Sequence, residues 1–556
     1  MAEEVRVTFL GGLGDIGRNC AAIETGEALL LLDCGQMFAG EDRPGVDSVL
    51  PDLSYVFERS ERIVGCIATH GHEDHVGALS HLFDRLSCDV YGTPFTLGLA
   101  RRRIVEAGYG DRARLIPVAD GERRRIGPFD CEFVPVTHSV PGGVITAIGT
   151  PQGVLLHSCD FKLDFFPVDG RRTDLARIGA ISQDPGVRLL LADSTNAEQP
   201  GSSRSESDIG PVLAGVFAAN AGRRILTACF SSHLHRVQQI VSAAIADGRR
   251  VATLGLSMKK NVALGRELGL LRGPDSAFVD IAEIAGMAPG ELCVISTGSQ
   301  AEERSSLASA AAGDSRWIRI GPADTVVLSS NPIPGNEARV GRMINDLIER
   351  GARVVHSGEI EIHTSGHGRQ DELAALHQAA SPEWFVPVHG ELRHLRAHAA
   401  LARRLAMPAE RVLVALDGDQ LVLGDAGLRV EAGVSAGDHV LVHGPFSGPD
   451  RGVLGERRIL GNQGVVVATV VVDFEAAALL GAPRVTSRGW LDEADADPLE
   501  VEMEGELAET VGDFLRAEPD AAAAEVRRVV RRTAGTLVAN RSQRRPMIVP
   551  VVVPAD

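Results

Sequence analysis

The stretch Thr69-His70-Gly71-His72-Glu73-Asp74-His75 places three imidazoles and an aspartate within six residues, directly after the apolar run Ile63–Ala68. The run reads as a buried strand. The glycine and the switch to polar residues read as a loop leaving its end, where open α/β sheets carry their sites. Such side chains cannot be buried together unaided, because protonated imidazoles repel and uncompensated polar groups are costly out of water. A divalent ion resolves both problems, since zinc accepts neutral His nitrogen and carboxylate oxygen together. Four ligands on one short loop cannot all reach a single tetrahedral ion without severe strain. The H-x-H-x-D-H spacing therefore predicts two ions, with His70 and His72 serving one and Asp74 and His75 the other. Hydrolysis at a two-metal centre is the chemistry this predicts.

A chain of 556 residues is too long for one core, and its length suggests roughly three or four domains. No apolar run approaches the roughly 20 residues needed to span a bilayer, and Met1–Val7 lacks a signal pattern. The eight cysteines are scattered without C-x-x-C pairs, mostly inside apolar runs. They read as reduced, buried residues of a cytoplasmic protein. The net charge of −18 argues against non-specific nucleic-acid binding. It does not exclude a basic substrate channel in an acidic protein, and local clusters such as Arg101–Arg103 and Arg123–Arg125 are available.

Up to about residue 200, short apolar runs alternate with turns, with strands expected at Val5–Leu10, Ala28–Leu32, Ile63–Ala68, Cys131–Val136, Val144–Ile148, Val154–His157 and Leu189–Ala192. Gly11-Gly12-Leu13-Gly14-Asp15-Ile16-Gly17 superficially resembles a dinucleotide fingerprint, but Asn19–Leu32 reads as a strand pair rather than a helix. From about Ser205 strands alternate with helices, as in a mainly parallel sheet with helices on its faces. Residues 426–452, rich in Gly, Pro and Ser, read as a connector to a small α/β domain.

Two further candidate ligands stand just past strand-like runs. His138 follows Val134-Pro135-Val136-Thr137, and Asp160 follows Leu155-Leu156-His157-Ser158-Cys159. A carboxylate can bridge two cations about 3.5–4 Å apart. Far downstream, Phe385-Val386-Pro387-Val388-His389-Gly390 repeats the strand-then-His pattern. The order Asp33, His70-x-His72-x-Asp74-His75, His138 and Asp160 resembles the metallo-β-lactamase superfamily. Asp193-Ser194-Thr195-Asn196, Thr364-Ser365-Gly366-His367 and Pro387-Val388-His389-Gly390 resemble motifs of its β-CASP nuclease branch. Within that branch the chain is most similar to the bacterial ribonuclease J family. The residues carrying this likeness are Gly11–Asn19, Asp160–Asp164, Thr297–Gln300, Ser330–Asn336 and Gln543–Pro550, and it covers essentially the whole length.

The resemblance implies an α/β fold: an αββα sandwich from residues 1–205 and 357–425, a β-CASP domain inserted at 206–356, a linker at 426–452 and a C-terminal domain at 453–556. It assigns His70, His72 and His138 to a first zinc and Asp74, His75 and His389 to a second, with Asp160 bridging. Two Zn2+ per subunit are implied, with Mn2+ or Mg2+ able to substitute in vitro. Some relatives carry a structural calcium near the segment matching Pro44–Val46, but His443 replaces the downstream aspartate, so no calcium is expected. Asp74 and Asp160 would orient the attacking hydroxide, His367 would protonate the leaving oxygen or touch the phosphate, and Asp193 would hold a histidine. A 5′-monophosphate pocket maps to Ser231, Ser232, His233, His363, Thr364, Ser365, Gly366 and His367, with His233 where relatives more often have Asn. Cys159 replaces the usual Gly before the bridging aspartate, which would crowd the turn.

The implied activity is zinc-dependent ribonuclease action on single-stranded RNA, both 5′-to-3′ exonucleolytic and endonucleolytic, in RNA processing and decay. A homodimer or dimer of dimers through the C-terminal domain, and partners in an RNA-degradation complex, are implied with it. The ligand set alone also suits a small-molecule hydrolase of the same fold acting on a lactam, lactone or thioester. A non-catalytic RNA-binding β-CASP subunit is disfavoured because every ligand is present, and a DNA-directed nuclease because the C-terminal domain resembles that of ribonucleases.

Overall fold

The β-branched and leucine-rich runs of the first half form two facing sheets. A computed structural model of the chain describes residues 2–40, 43–302, 305–333, 336–431, 433–434, 440–443, 446–447 and 451–555. An eight-stranded sheet runs, in spatial order, through Gly427–Glu431, Gln420–Gly424, Val5–Gly11, Cys20–Thr25, Ala28–Leu32, Ile63–Ile67, Cys88–Gly92 and Ala113–Pro117. A six-stranded sheet runs through Arg123–Ile126, Phe129–Pro135, Val144–Thr150, Gly153–His157, Val187–Asp193 and Trp384–Val388. One core fills the space between them, with Ile23, Leu30 and Ile67 from the first sheet against Phe133, Ile148 and Leu189 from the second. Burial of such side chains stabilises by about 1.5–3 kcal/mol each. Helices Leu175–Gln183, Gln370–Ala380 and Leu392–Arg404 bury Ile178, Leu373 and Ala399 on the outer face of the second sheet. Helix Pro94–Glu106 lies against the first sheet's strands at Cys88–Gly92 and Ala113–Pro117. The layers are αββα.

The helix–strand alternation after residue 205 gives a separate five-stranded, wholly parallel sheet. Its order is Arg250–Leu254, Leu292–Ser296, Arg224–Ala228, Asp324–Leu328 and Arg353–Val355. Such a sheet needs both faces covered, and one apolar cluster lies on each. The chain returns to the second sandwich sheet at Trp384–Val388, parallel to Val187–Asp193 with Asp193 opposite Val388.

Where the segment read as a connector begins, Gly427–Glu431 instead pairs with Gln420–Gly424 as a hairpin arm. A helix over Arg451–Gln463, which apolar periodicity did not suggest, lies at its far end. The side chain of His443, on which the calcium expectation rests, and residues 334–335 of the Ser330–Asn336 motif lie outside what is described. Residues 39–47 and 441–556 form a second compact unit. In it Val466, Ala468, Val470 and Val472 of strand Val465–Asp473 face helices Glu493–Ala517 and Ala523–Ser542. All eight cysteines are free, and none is fully exposed. Among the described residues no helix is long and apolar enough to cross a membrane.

Candidate metal centre

The parallel strands of both sheets end on one edge, and the polar residues just past them converge there. Strands Ala28–Leu32 and Ile63–Ile67 run side by side with Leu32 opposite Ile67, so Asp33 meets the start of the histidine loop. Its carboxylate accepts from Thr69 N–H and Thr69 Oγ1 at 2.8 Å each, and lies 2.8 Å from His75 Nδ1. His72 ends the loop, and Asp74 and His75 sit in the first turn of helix Glu73–Val76. The loop is held from beneath by Gly35, where a Cβ would stand 1.7 Å from the Asp74 carbonyl oxygen, so no other residue fits. His138, Asp160, Asp193 and His389 arrive at the ends of Phe129–Pro135, Gly153–His157, Val187–Asp193 and Trp384–Val388.

Two groups of donor atoms result. In the first, His72 Nδ1 lies 3.1 Å from both His70 Nε2 and His138 Nε2. Asp160 Oδ2 is 3.6 Å from His70 Nε2 and 3.9 Å from His138 Nε2. In the second, His75 Nε2 and His389 Nε2 stand 3.3 and 3.5 Å from the same Asp160 oxygen. They stand 3.7 and 3.3 Å from Asp74 Oδ2. Four donors bound at about 2.0–2.1 Å in a tetrahedron are about 3.3 Å apart, so both sets have the spacing of metal ligands. Hydrogen bonding cannot account for the first set, because His72 Nδ1 has one lone pair and two imidazoles facing it.

Outward contacts fix which ring nitrogen faces inward. The Gly366 carbonyl accepts from His138 Nδ1 at 2.7 Å. Asp33 takes His75 Nδ1, and Thr195 Oγ1 is 2.7 Å from His389 Nδ1. Each leaves Nε2 toward the donor cluster, which is how ligand orientation is normally secured. Asp193 is fully engaged as a support. Its Oδ1 accepts from Thr195 N–H and Oγ1 at 2.9 and 2.8 Å, and its Oδ2 lies 2.7 Å from His367 Nδ1.

Electrostatics separates the two groups. Burial, with the neighbouring imidazoles, holds His70 and His138 well below the ordinary histidine range, and burial lowers His72 to about 4. Burial also opposes charge on His75 and His389, but Asp160 and the other adjacent carboxylates outweigh it, raising His75 well above its ordinary value and His389 to about 10. Asp74 and Asp160 are held low despite burial by those same histidines, and Asp193 by His367 and then His389. His367 is raised because Asp193 overcomes its desolvation. A dication among the second set of donors takes the place of the protons on His75 and His389.

Of the positions expected to hold a phosphate, Gly366 and His367 lie beside the donor cluster, the His367 ring 5.0 Å from that of His138. A Cβ at Gly366 would come within 2.8 Å of His138 Cε1, so the close approach requires glycine. Ser365 Oγ accepts from Asn196 Nδ2 at 2.9 Å, and Thr364 Oγ1 donates to the Arg204 carbonyl at 2.9 Å. Ser231 accepts from Asn261, and Ser232 sits in the adjoining turn. His233 is buried, with Nε2 3.4 Å from Glu206, and burial lowers it to about 4. Burial, with Arg236 and His233 nearby, lowers His363 to about 3. The fully buried Arg236 binds both Glu206 oxygens at 2.7 and 2.9 Å and the Ile362 carbonyl at 2.9 Å, drawing these two segments together.

Cys159 occupies the left-handed region at φ 58°, with Sγ 3.3 Å from His70 Nδ1. The crowded turn is thus accommodated by a backbone conformation that favours glycine. Sequence reasoning missed the supporting roles of Asp33, Thr195, Asn196 and the Gly366 carbonyl. The one available signal was that Asp33 and Asp193-Ser194-Thr195-Asn196 follow apolar strands.

Comparison with known proteins agrees along the whole chain. Residues 13–196 match the metallo-beta-lactamase superfamily, and residues 222–347 match the beta-CASP domain of Ribonuclease J. Residues 354–412 match the Zn-dependent metallo-hydrolase RNA specificity domain, and residues 452–555 the Ribonuclease J C-terminal domain. The chain is 40% identical to Ribonuclease J of Mycolicibacterium smegmatis over 99% of its own length and 97% of the relative's. It is 41% identical to Ribonuclease J of Mycobacterium tuberculosis H37Rv over the same shares, and 35% identical to Ribonuclease J 1 of Streptococcus pyogenes over 100% and 98%. A crystal structure of a protein of unknown function from Enterococcus faecalis shares the fold, with TM-score 0.53 and 15% identity over 76% of this chain and 100% of that one.

Proposed function

The chain belongs to the ribonuclease J family of metal-dependent ribonucleases, and on that premise we propose that it is a two-zinc enzyme degrading 5′-monophosphorylated single-stranded RNA from the 5′ end, with endonuclease activity besides. The observation that carries this reading is the pair of donor sets sharing Asp160 Oδ2. Their imidazole and carboxylate mixture suits zinc. His70, His72 and His138 would hold one ion and Asp74, His75 and His389 the other, with Asp160 shared between the two sets. When bound, the ions supply the acidity that makes water a nucleophile at neutral pH and the positive charge that offsets the charge building on phosphate.

The chain's own residues do the rest. Asp74 and Asp160 orient the attacking water. Asp193 fixes His367 through Nδ1 and favours its charged form, which leaves Nε2–H to protonate the departing 3′-oxygen. Water loses a proton to solvent as its oxygen bonds to phosphorus, the P–O3′ bond breaks as O3′ takes the proton of His367, and a 5′-phosphate and a 3′-hydroxyl result. Residues 231–233 and 363–367 hold the terminal monophosphate through hydroxyls, imidazoles and backbone amides. The domain limits read from the sequence, a cytoplasmic location, a homodimer through the C-terminal domain and a role in RNA processing and decay complete the proposal.

The test compares wild type with His72→Ala and Ser365→Ala on RNA labelled at either end. His72→Ala abolishes all cleavage, and Ser365→Ala loses mononucleotide release while keeping internal cuts. Activity surviving His72→Ala, or no RNA cleavage by wild type with zinc or manganese, sinks the reading.

A further inference from the structure

Phe165 and Phe166 are 60% and 70% exposed, among the most exposed large apolar side chains described. They lie in the loop that leaves Asp160-Phe161-Lys162-Leu163-Asp164. Leaving two adjacent aromatics in water forfeits burial energy unless something else covers them.

The loop is firmly anchored. Asp164 accepts from the backbone N–H groups of Phe166 at 2.9 Å and Glu206 at 2.8 Å. The Ser205 hydroxyl lies 2.7 Å from Asp164 and 3.2 Å from the Phe166 carbonyl. At the loop's far end, Asp169 sits 3.0 Å from His235 Nε2.

These anchors lead to both halves of the proposed phosphate pocket. His235 is two positions beyond His233 on its helix. Lys162 Nζ and Thr364 Oγ1 both donate to the Arg204 carbonyl, at 2.8 and 2.9 Å. The exposed Arg172 guanidinium stands 6.0 Å from the Phe166 ring centroid, adding a positive charge next to the aromatic pair.

Resting on the ribonuclease reading above, we propose that Phe165 and Phe166 form a stacking platform for a base of single-stranded RNA near the bound 5′ end. Arg172 complements the adjoining phosphate. Aromatic stacking accepts any base because each has a π face, and it demands an unpaired strand. A rigid platform beside the phosphate pocket therefore supplies single-strand selectivity without sequence selectivity.

The test is a double-mutant cycle across the protein–RNA boundary. Phe165→Ala/Phe166→Ala is compared with wild type on 5′-monophosphorylated single-stranded RNAs carrying one abasic ribose at successive positions from the 5′ end. For wild type, KM rises about 5- to 150-fold when the abasic site meets the platform, the equivalent of one lost stack. The alanine variant shows that rise with intact RNA and no further rise with the abasic one. Phe166→Tyr keeps the wild-type KM, and Phe166→Leu, equally apolar but without a π face, raises it. Equal abasic penalties in wild type and variant, or an unchanged KM in the alanine variant, overturn the stacking inference alone. Failure of wild type to degrade any of these RNAs overturns the ribonuclease reading on which it rests.

Discussion

Replacing Asp33 with asparagine should disable one metal position and spare the other. Asp33 Oδ2 lies 2.8 Å from both Thr69 Oγ1 and His75 Nδ1, in a site where Asp33 is only 2% exposed. Asparagine has almost the same shape, but Thr69 N–H requires the amide oxygen at the Oδ1 position, which puts the NH2 group at Oδ2. That group cannot accept the Nδ1 proton, so His75 must turn Nδ1 into the acceptor and carry its proton on Nε2. Nε2 is the nitrogen 3.3 Å from Asp160 and 3.7 Å from Asp74, the one needed as a ligand. Restoring the productive tautomer sacrifices a hydrogen bond to a charged group, worth about 1.5–3 kcal/mol. This corresponds to the roughly 10–100-fold loss of affinity typical when such a support is removed. His72 and His138 have no hydrogen bond to Asp33, and His70 meets it only through Thr69 Oγ1, which stands 3.2 Å from His70 Nδ1 and keeps its bond to the Asp33 position, so the other ion binds nearly as before. Titration calorimetry of metal-free protein with zinc and a competing chelator resolves the two affinities. The reasoning is refuted if both ions bind Asp33→Asn as tightly as wild type, or if the weakened position is the one without His75.

Zinc binding should release protons near neutral pH, because the metal-free protein holds His75 and His389 charged and zinc needs them neutral; calorimetry in buffers of different ionisation enthalpy measures the number. In EDTA the raised His389 contributes stability that is fully present below about pH 6.5 and is lost as pH rises through about 10; melting temperature against pH, with and without zinc, shows whether metal removes this dependence. Gly35→Ala should cost about 3 kcal/mol or more, since the added methyl collides with the Asp74 backbone; an unchanged urea midpoint would contradict the close approach. Arg236→Ala should destabilise by about 3–5 kcal/mol by leaving Glu206 buried without its partner; denaturant unfolding checks this, and Arg236→Lys should not restore stability because it cannot bind both oxygens.

The candidate ligands were legible because metal binding demands scarce residue types, and the loop at His70–His75 concentrates them. His138, Asp160 and His389 were legible more weakly, each as a polar residue ending an apolar strand. The change from strand-rich to helix–strand alternation near residue 205 was legible because burial on one face and on two faces leaves different patterns. The hairpin arm Gly427–Glu431 was not, because its mixed and charged residues resemble a loop and only pairing with Gln420–Gly424 makes it a strand.

By itself the sequence determined that this chain gathers histidines and aspartates at strand ends, in two segments far apart, and that such a set has the chemistry of metal ligands. Only the tertiary structure decided which nitrogen of His75, His138 and His389 faces the donor cluster. That choice rests on Asp33, Thr195 and the Gly366 carbonyl, and in the same way Asp193, whose carboxylate reaches across 174 positions, orients His367. The physical reason is that ligand identity is a property of residue type, whereas tautomer, charge and spacing depend on contacts between segments that only folding brings together.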